Sequence, residues 1–292
     1  MKLKRVYPYF LVSPIFLFLV IFLVYPTLYQ VYLSFYDIYL LRPDKATYVG
    51  LTNYFKVLSD PNVIHSIYLT LLFTFLTVIL ELVLGLAIAL LLDRSWKGIG
   101  ILETIVLLPF FAMPIVSGLV WKFLWDADWG IINYLLSLIF GIKIGTLNWL
   151  GDPNLAFIAI VVTEVWNHTP FAVLVFLASL KAIPIQPIES AKIDGANPIQ
   201  IFRHITLPFL TPAILIVLTF RTIFNLRVFD VIYSLTAGGP GNATYLMSIN
   251  IYFSAFRYYQ AGYGGALAVI LLIITLIFGL IYFKILYGKL EV

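Results

Sequence analysis

Two short clusters put polar and aromatic side chains together inside long apolar runs. Glu164, Asn167, His168 and Phe171 are spaced three and four residues apart, and so are Arg221, Phe224 and Asn225, so each set shares one face of a helix. Their chemistry is that of holding rather than cutting. Ring faces beside donors and acceptors suit a solute that is apolar on one face and hydrogen-bonding at its rim. Polar groups at membrane depth are costly and face a cavity or one another, so Glu164 and Arg221 have an alternative reading as a structural pair across two helices. Glu81 has no partner evident in the sequence and reads as helix packing, and Arg227 and Asp230, three apart, read as a local pair.

No residue pattern points to catalysis or to a bound cofactor. The three histidines, His65, His168 and His204, stand in no metal-binding spacing, and no Gly-x-x-x-x-Gly-Lys-Ser/Thr loop is present to bind a nucleotide. The run Gly238-Gly239-Pro240-Gly241 reads as a turn. With no cysteine, disulfides, thiolate metal sites and a cysteine nucleophile are excluded.

The elements that position these side chains follow from composition. A chain of 292 residues that is 62% hydrophobic and 11% charged, with mean hydropathy +1.01, must use lipid as its solvent. Six apolar runs are each long enough for hydrocarbon roughly 30 Å thick, which takes about 20 residues. They cover about 9–35, 66–92, 99–125, 155–180, 209–235 and 264–287, predicting a single all-α transmembrane domain over 1–292. Pro14 and Pro26 bend the first, and Pro109 and Pro114 interrupt the third near its middle. The opening run is far longer than the core of a cleaved signal peptide. Ile131 to Phe140 is too short to cross and reads as an interfacial or capping helix, and Ile249 to Phe256 reads as another short helix.

Basic residues orient the chain. With both ends in the cytoplasm, Lys2, Lys4, Arg5, Arg94, Lys97, Lys181, Lys192, Arg203, Lys284 and Lys289 lie inside, against Arg42, Lys45, Lys56, Lys122, Lys143 and Arg257 outside. The net charge of +4 reflects this placement and calls for no nucleic acid. The 181–208 loop then falls in the cytoplasm. In it, Pro187 suits a first helical turn and Gly195 a stop, giving a two-turn helix from Pro187 to Asp194. Asn197 caps a second helix that begins at Pro198, and Pro208 ends it or opens the next span.

The stretch from Glu189 to Pro208 resembles the coupling loop of ABC-importer permeases: Glu-Ala-Ala, three residues, Gly, nine residues, Ile, one residue, Leu-Pro. Glu189, Ala191, Gly195, Ile205, Leu207 and Pro208 stand at these offsets, and Ser190 is a small-for-small departure. Leu108-Pro109-Phe110, Trp166 to Phe171, and Phe229 to Pro240 with its Leu-Thr-x-Gly-Gly-Pro ending are similar to the carbohydrate-uptake branch, of the maltose-permease type. No large outer insert stands between the early spans.

That resemblance implies the type I importer permease fold with cytoplasmic coupling helices, in the plasma (inner) membrane. It implies a transport subunit, not an enzyme, that forms half of a pathway for a sugar, with a di- or oligosaccharide expected. The implied partners are a second homologous permease, two ATP-binding cassette subunits that use MgATP, an extracellular sugar-binding protein and membrane lipid. Glu189, Ser190, Ala191, Asp194, Gly195, Ile205, Leu207 and Pro208 would couple to the ATPase. Phe110, Glu164, Asn167, His168, Phe171, Arg221, Phe224 and Asn225 would contact the sugar. Glu164, His168 and Arg221 are more polar than the usual occupants. An ion-coupled secondary transporter or channel is the competing class, with Glu81, Glu164 and Arg221 as a relay; it would have no need of the Glu189 to Pro208 loop.

Overall fold

Where the chain must satisfy every backbone group without water, helices are the answer, and helices are what it forms. The structure, a computed structural model, describes residues 12–94 and 97–290, with side chains to residue 285. Lys2, Lys4, Arg5 and the expected span start at Tyr9 lie outside the described residues, as do Ser95, Trp96 and the last two positions. Five helices are long and apolar enough to cross a membrane: α1 (Val12–Ser34), α3 (Pro61–Leu92), α7 (Pro153–Lys181), α9 (Pro198–Asn225) and α12 (Ala261–Leu290). A bent pair, α4 (Ile99–Phe111) and α5 (Pro114–Leu124), makes six when counted as one span. Shorter helices are α2 (Thr52–Ser59), α6 (Ile131–Phe140), α8 (Ile185–Ile193), α10 (Asp230–Leu235) and α11 (Met247–Tyr252).

Departures from the sequence reading have local causes. The third span is not one rod: its halves meet at 100°. Pro114 forces Met113 out of the helical region, and Ala112 and Met113 are both extended (ψ 133° and 129°). The fifth span ends at Asn225 rather than at Leu235, because the backbone breaks before α10 starts again at Asp230. Conversely, Pro208 does not end the second loop helix. That helix runs straight on into the span as α9, through a wide turn over Phe202–Thr206 closed by Leu207 N–H on the Phe202 carbonyl. The same device recurs in α1, where a wide turn at Val20–Val24 precedes Pro26. In each case the widened turn ends one residue short of a proline whose ring would strike the carbonyl four residues back, and it gives that ring room.

The chain divides into two compact units. One comprises residues up to His65 together with Asn250–Ile273. In it a two-residue antiparallel pair, β1 (Tyr36–Asp37) with β2 (Thr47–Tyr48), follows α1. Buried Asn53 ties the turn by donating from Nδ2 to the Ser34 and Tyr36 carbonyls, each at 2.9 Å.

The other unit, Ser66–Ile249 with Ile274 onward, holds the main core. Ala89 and Leu92 of α3, Ala172, Val173, Phe176 and Leu180 of α7, and Leu210, Ala213 and Val217 of α9 pack together. Gly85 lets α3 and α7 touch: a Cβ there would stand 2.5 Å from that of Ala172. Of the five long helices α7 is the most enclosed, with 61% of its most apolar stretch buried, and Asp152 caps it by accepting from the Asn154 and Leu155 N–H groups at 2.9 and 3.0 Å.

Candidate functional site

The polar faces of α3, α7 and α9 meet in one buried network. Arg221 on α9 donates from Nε to Glu81 Oε2 at 2.6 Å and from Nη2 to Glu81 Oε1 at 2.9 Å. The same Nη2 reaches Glu164 Oε1 on α7 at 3.0 Å and Asn225 Oδ1, one turn on, at 2.6 Å. Asn225 in turn donates from Nδ2 to Thr77 Oγ1 on α3 at 2.7 Å. Glu81, Glu164, Arg221 and Asn225 are all buried. A charge in such a place persists only when paired and hydrogen-bonded, and the two-point Arg–carboxylate geometry supplies both.

Sequence reasoning had Glu81 only as helix packing or, in the competing transporter class, as part of a relay with Glu164 and Arg221. Nothing in the chain around it names a partner 140 residues away; the one available signal was a carboxylate in an otherwise apolar span. Arg221 and Glu164 do meet, as the pairing alternative has it, but the tighter partner is Glu81. Arg227 does not pair with Asp230. Its guanidinium lies over the Phe224 ring, 5.1 Å from the centroid.

Toward the accessible side the network ends at His168, whose ring Nδ1 sits 2.8 Å from Glu164 Oε1 and whose side chain is 19% exposed. Beside it run phenyl rings from three helices. Phe110 of α4 and Phe171 of α7 stack at 6.1 Å, and Phe171 meets Phe220 of α9 at 6.1 Å. Phe220, absent from the sequence-predicted set, sits one turn before Phe224 on the same face of α9, a spacing legible in the sequence. Phe110, Phe220 and Phe224 are exposed, whereas Asn167 is buried and accepts from Ser117 Oγ of α5 at 3.1 Å. The eight predicted residues therefore fall into an accessible group, Phe110, His168, Phe171 and Phe224, and a buried group behind it, Glu164, Asn167, Arg221 and Asn225. A separate cavity of about 550 Å³ among α3, α4 and α7 is walled by apolar side chains with Trp166 and Thr169.

At the other end of α7 and α9 lies the loop. α8 starts at Ile185, two residues ahead of Pro187, and ends where Gly195 takes φ +83°. The Gly195 N–H bonds the Lys192 carbonyl at 3.1 Å and the Ala196 N–H bonds that of Ala191 at 2.9 Å, the paired closure of a left-handed C-terminus. Asn197 and Gln200 then exchange side-chain bonds, Oδ1 accepting from Gln200 N–H at 2.9 Å and Oε1 from Asn197 N–H at 2.8 Å. Glu189, Ser190, Asp194 and Gly195 are exposed, Ala191, Ile205 and Leu207 are half-buried, and Pro208 is exposed. Two helix ends are thus capped back to back across the four residues Asp194 to Asn197, which leaves the elbow little freedom to bend.

Among the described residues, no group of three or more His, Asp or Glu side chains is arranged to hold a metal ion.

Known proteins resemble this chain along its length. The family model described as binding-protein-dependent transport system inner membrane component matches residues 3–291. The trehalose/maltose transport system permease protein MalF of Thermococcus litoralis is 39% identical over 280 residues, 95% of this chain and 92% of that one. The sulfoquinovosyl glycerol transport system permease protein SmoG of Agrobacterium fabrum is 34% identical over 280 residues, 96% and 90% of the two chains. In structure, a subunit of a bacterial ABC transporter involved in import of the acidic polysaccharide alginate superposes with TM-score 0.83 at 22% identity, covering 98% of this chain and 97% of that one.

Proposed function

Because the chain belongs to the family of binding-protein-dependent transport system inner membrane components, a multi-pass permease subunit, we propose that it forms half of the path by which an ATP-driven importer takes up a sugar of two or more units. The observation that carries this reading is the intact, doubly capped elbow at Glu189 to Pro208, in a chain that matches sugar permeases from end to end. Such an elbow has a use only if another protein pushes on it.

In this reading the elbow lies in the cytoplasm, with both chain ends on the same side. Glu189 offers its exposed carboxylate to a basic group in the cleft of an ATPase subunit, and Ser190, Ala191, Asp194, Ile205, Leu207 and Pro208 shape the surface that docks. Because α9 runs unbroken from Pro198 to Asn225, a movement of the loop passes into the span that carries Arg221 and Phe224 as a rigid-body shift. MgATP is bound and hydrolysed by two partner subunits, a second homologous permease completes the path, and an extracellular binding protein delivers the sugar. ATP-driven closure of the ATPase pair opens the pathway outward, and hydrolysis resets it.

The accessible group supplies the sugar contacts. Phe110, Phe171 and Phe224 offer ring faces to C–H surfaces, and His168 a hydrogen bond to a hydroxyl. Glu164, Asn167, Arg221 and Asn225 form the wall behind. The test is uptake by the co-expressed complex in proteoliposomes, against labelled mono- and disaccharides, with and without ATP and binding protein. Uptake that needs both supports the reading, and movement of sugar by this chain alone down an ion gradient, with no nucleotide, overturns it.

A further inference from the structure

The ring of His168 is aimed by bonds on one side only. Nδ1 faces two oxygens that can only accept, the Glu164 carboxylate at 2.8 Å and the Glu164 carbonyl at 3.4 Å. It therefore carries the proton, and the ring's other nitrogen in the neutral form is an acceptor. Nε2 has no hydrogen-bond partner among the described residues, on the part-exposed side of a helix face it shares with Phe171.

What holds Glu164 in place is not on its own helix. Its Oε1 serves both His168 and Arg221, while its Oε2 is buried with no partner. One oxygen shared between an arginine and a histidine is divided according to how much of the guanidinium is satisfied elsewhere. Glu81 decides that division, since it takes two of Arg221's donors at 2.6 and 2.9 Å from a different helix and is wholly buried.

We propose that Glu81 is a positioning residue for the cargo: through Arg221 and Glu164 it fixes the tautomer and the angle of His168, so that this wall presents an acceptor nitrogen to a sugar hydroxyl beside the phenyl rings. With Glu81 neutral, Arg221 is drawn to Glu164, Oε1 is lost to His168, and the ring turns freely between two tautomers. The assignment rests on the reading of this wall as sugar-facing, but it concerns a residue outside the predicted contact set.

The test is a double-mutant cycle on the assembled complex in proteoliposomes. Glu81→Gln keeps the volume and one acceptor, His168→Phe keeps the ring and removes both nitrogens, and each is measured alone and together for half-saturating sugar concentration and maximal uptake rate. The expected result is a fivefold to twentyfold rise in half-saturating concentration for each single variant, with maximal rate within twofold of the parent. The double variant should be no worse than His168→Phe alone, because Glu81 then has nothing left to aim. Independent, multiplying effects overturn the proposal. So does a Glu81→Gln protein that melts earlier or assembles poorly while its half-saturating concentration is unchanged, since that is a purely structural role. Failure of the parent complex to take up any sugar would instead sink the transport reading, so the two failures are told apart.

Discussion

Arg221 and Glu81 are joined by two parallel bonds, Nε to Oε2 at 2.6 Å and Nη2 to Oε1 at 2.9 Å, between helices whose contact residues lie 140 positions apart in the chain. The pair is buried, and Arg221 adds Glu164 as a second carboxylate. Opposite charges so placed fix the register of α3, α7 and α9 at one level, while the apolar core around Ala89, Phe176 and Val217 packs them at another.

Removing the guanidinium should therefore be worse than removing the whole set. Arg221→Met leaves two buried carboxylates facing each other with no counter-charge, a loss of about 3–5 kcal/mol when one partner of a buried pair is deleted. Combined replacement, Arg221→Met with Glu81→Gln and Glu164→Gln, leaves no charge to strand. Thermal melting of the purified protein in detergent should fall sharply for the single variant and return most of the way for the triple. A triple variant no more stable than the single would mean that the charges themselves were never the difficulty.

The close approach of α3 and α7 makes a second, purely steric prediction. A methyl at Gly85 would stand 2.5 Å from the Ala172 Cβ and 3.3 Å from α7 backbone atoms. Overpacking of this kind costs roughly 1–3 kcal/mol. Gly85→Ala should lower the melting temperature, and adding Ala172→Gly should recover it, because the pair then exchanges one methyl across the same interface. Lack of recovery would show that the helices are not held at this distance.

How much of this could be read from the sequence differs by element. The apolar runs, α6 at Ile131–Phe140 and the elbow at Glu189–Pro208 were legible because length, helix caps and left-handed stops are local properties. The 100° bend was half legible: Pro114 marks where α5 starts, but Pro109, expected to interrupt the span as well, lies inside α4, and only the extended pair Ala112–Met113 sets the angle. The wide turns before Pro26 and Pro208 were missed, since a proline was read as a bend or boundary where the helix in fact loosens by one residue and continues. Glu81 was legible only as helix packing or as a member of the competing relay with Glu164 and Arg221, not as the two-point partner of Arg221. Periodicity tells which face of its own helix a side chain occupies, and nothing in it says which other helix that face will meet.

In the elbow, stiffness should matter more than space. Gly195 has φ +83° and no atom within 4 Å of where a Cβ would lie, so a substitution there meets backbone strain alone, roughly 1–2 kcal/mol for a non-glycine residue. Gly195→Val should loosen the junction of α8 and α9 and lower uptake severalfold while the spans stay folded. Glu189→Ala, at an exposed position, should leave melting unchanged and weaken recruitment of the ATPase, seen as loss of co-purification. If Glu189→Ala kept full uptake and full co-purification, the docking role given to that carboxylate would be withdrawn.

The absence of cysteine makes the orientation directly measurable, because any thiol introduced is the only one present. Ser190 lies before α9 and Asn242 after it, both are exposed, and the one helix between them long enough to cross a membrane is Pro198–Asn225. A 28-residue helix is about 42 Å long at 1.5 Å per residue, enough to cross the hydrocarbon with a turn to spare on each side. Ser190→Cys should then react with a membrane-impermeant maleimide only in inside-out vesicles, and Asn242→Cys only in intact cells. Labelling of both from the same side would mean that α9 does not cross, and with it would go the idea that a push on the loop reaches Arg221 along a single rod. Labelling from opposite sides in the reverse sense would keep the rod but place the elbow outside, where no nucleotide-driven subunit could reach it.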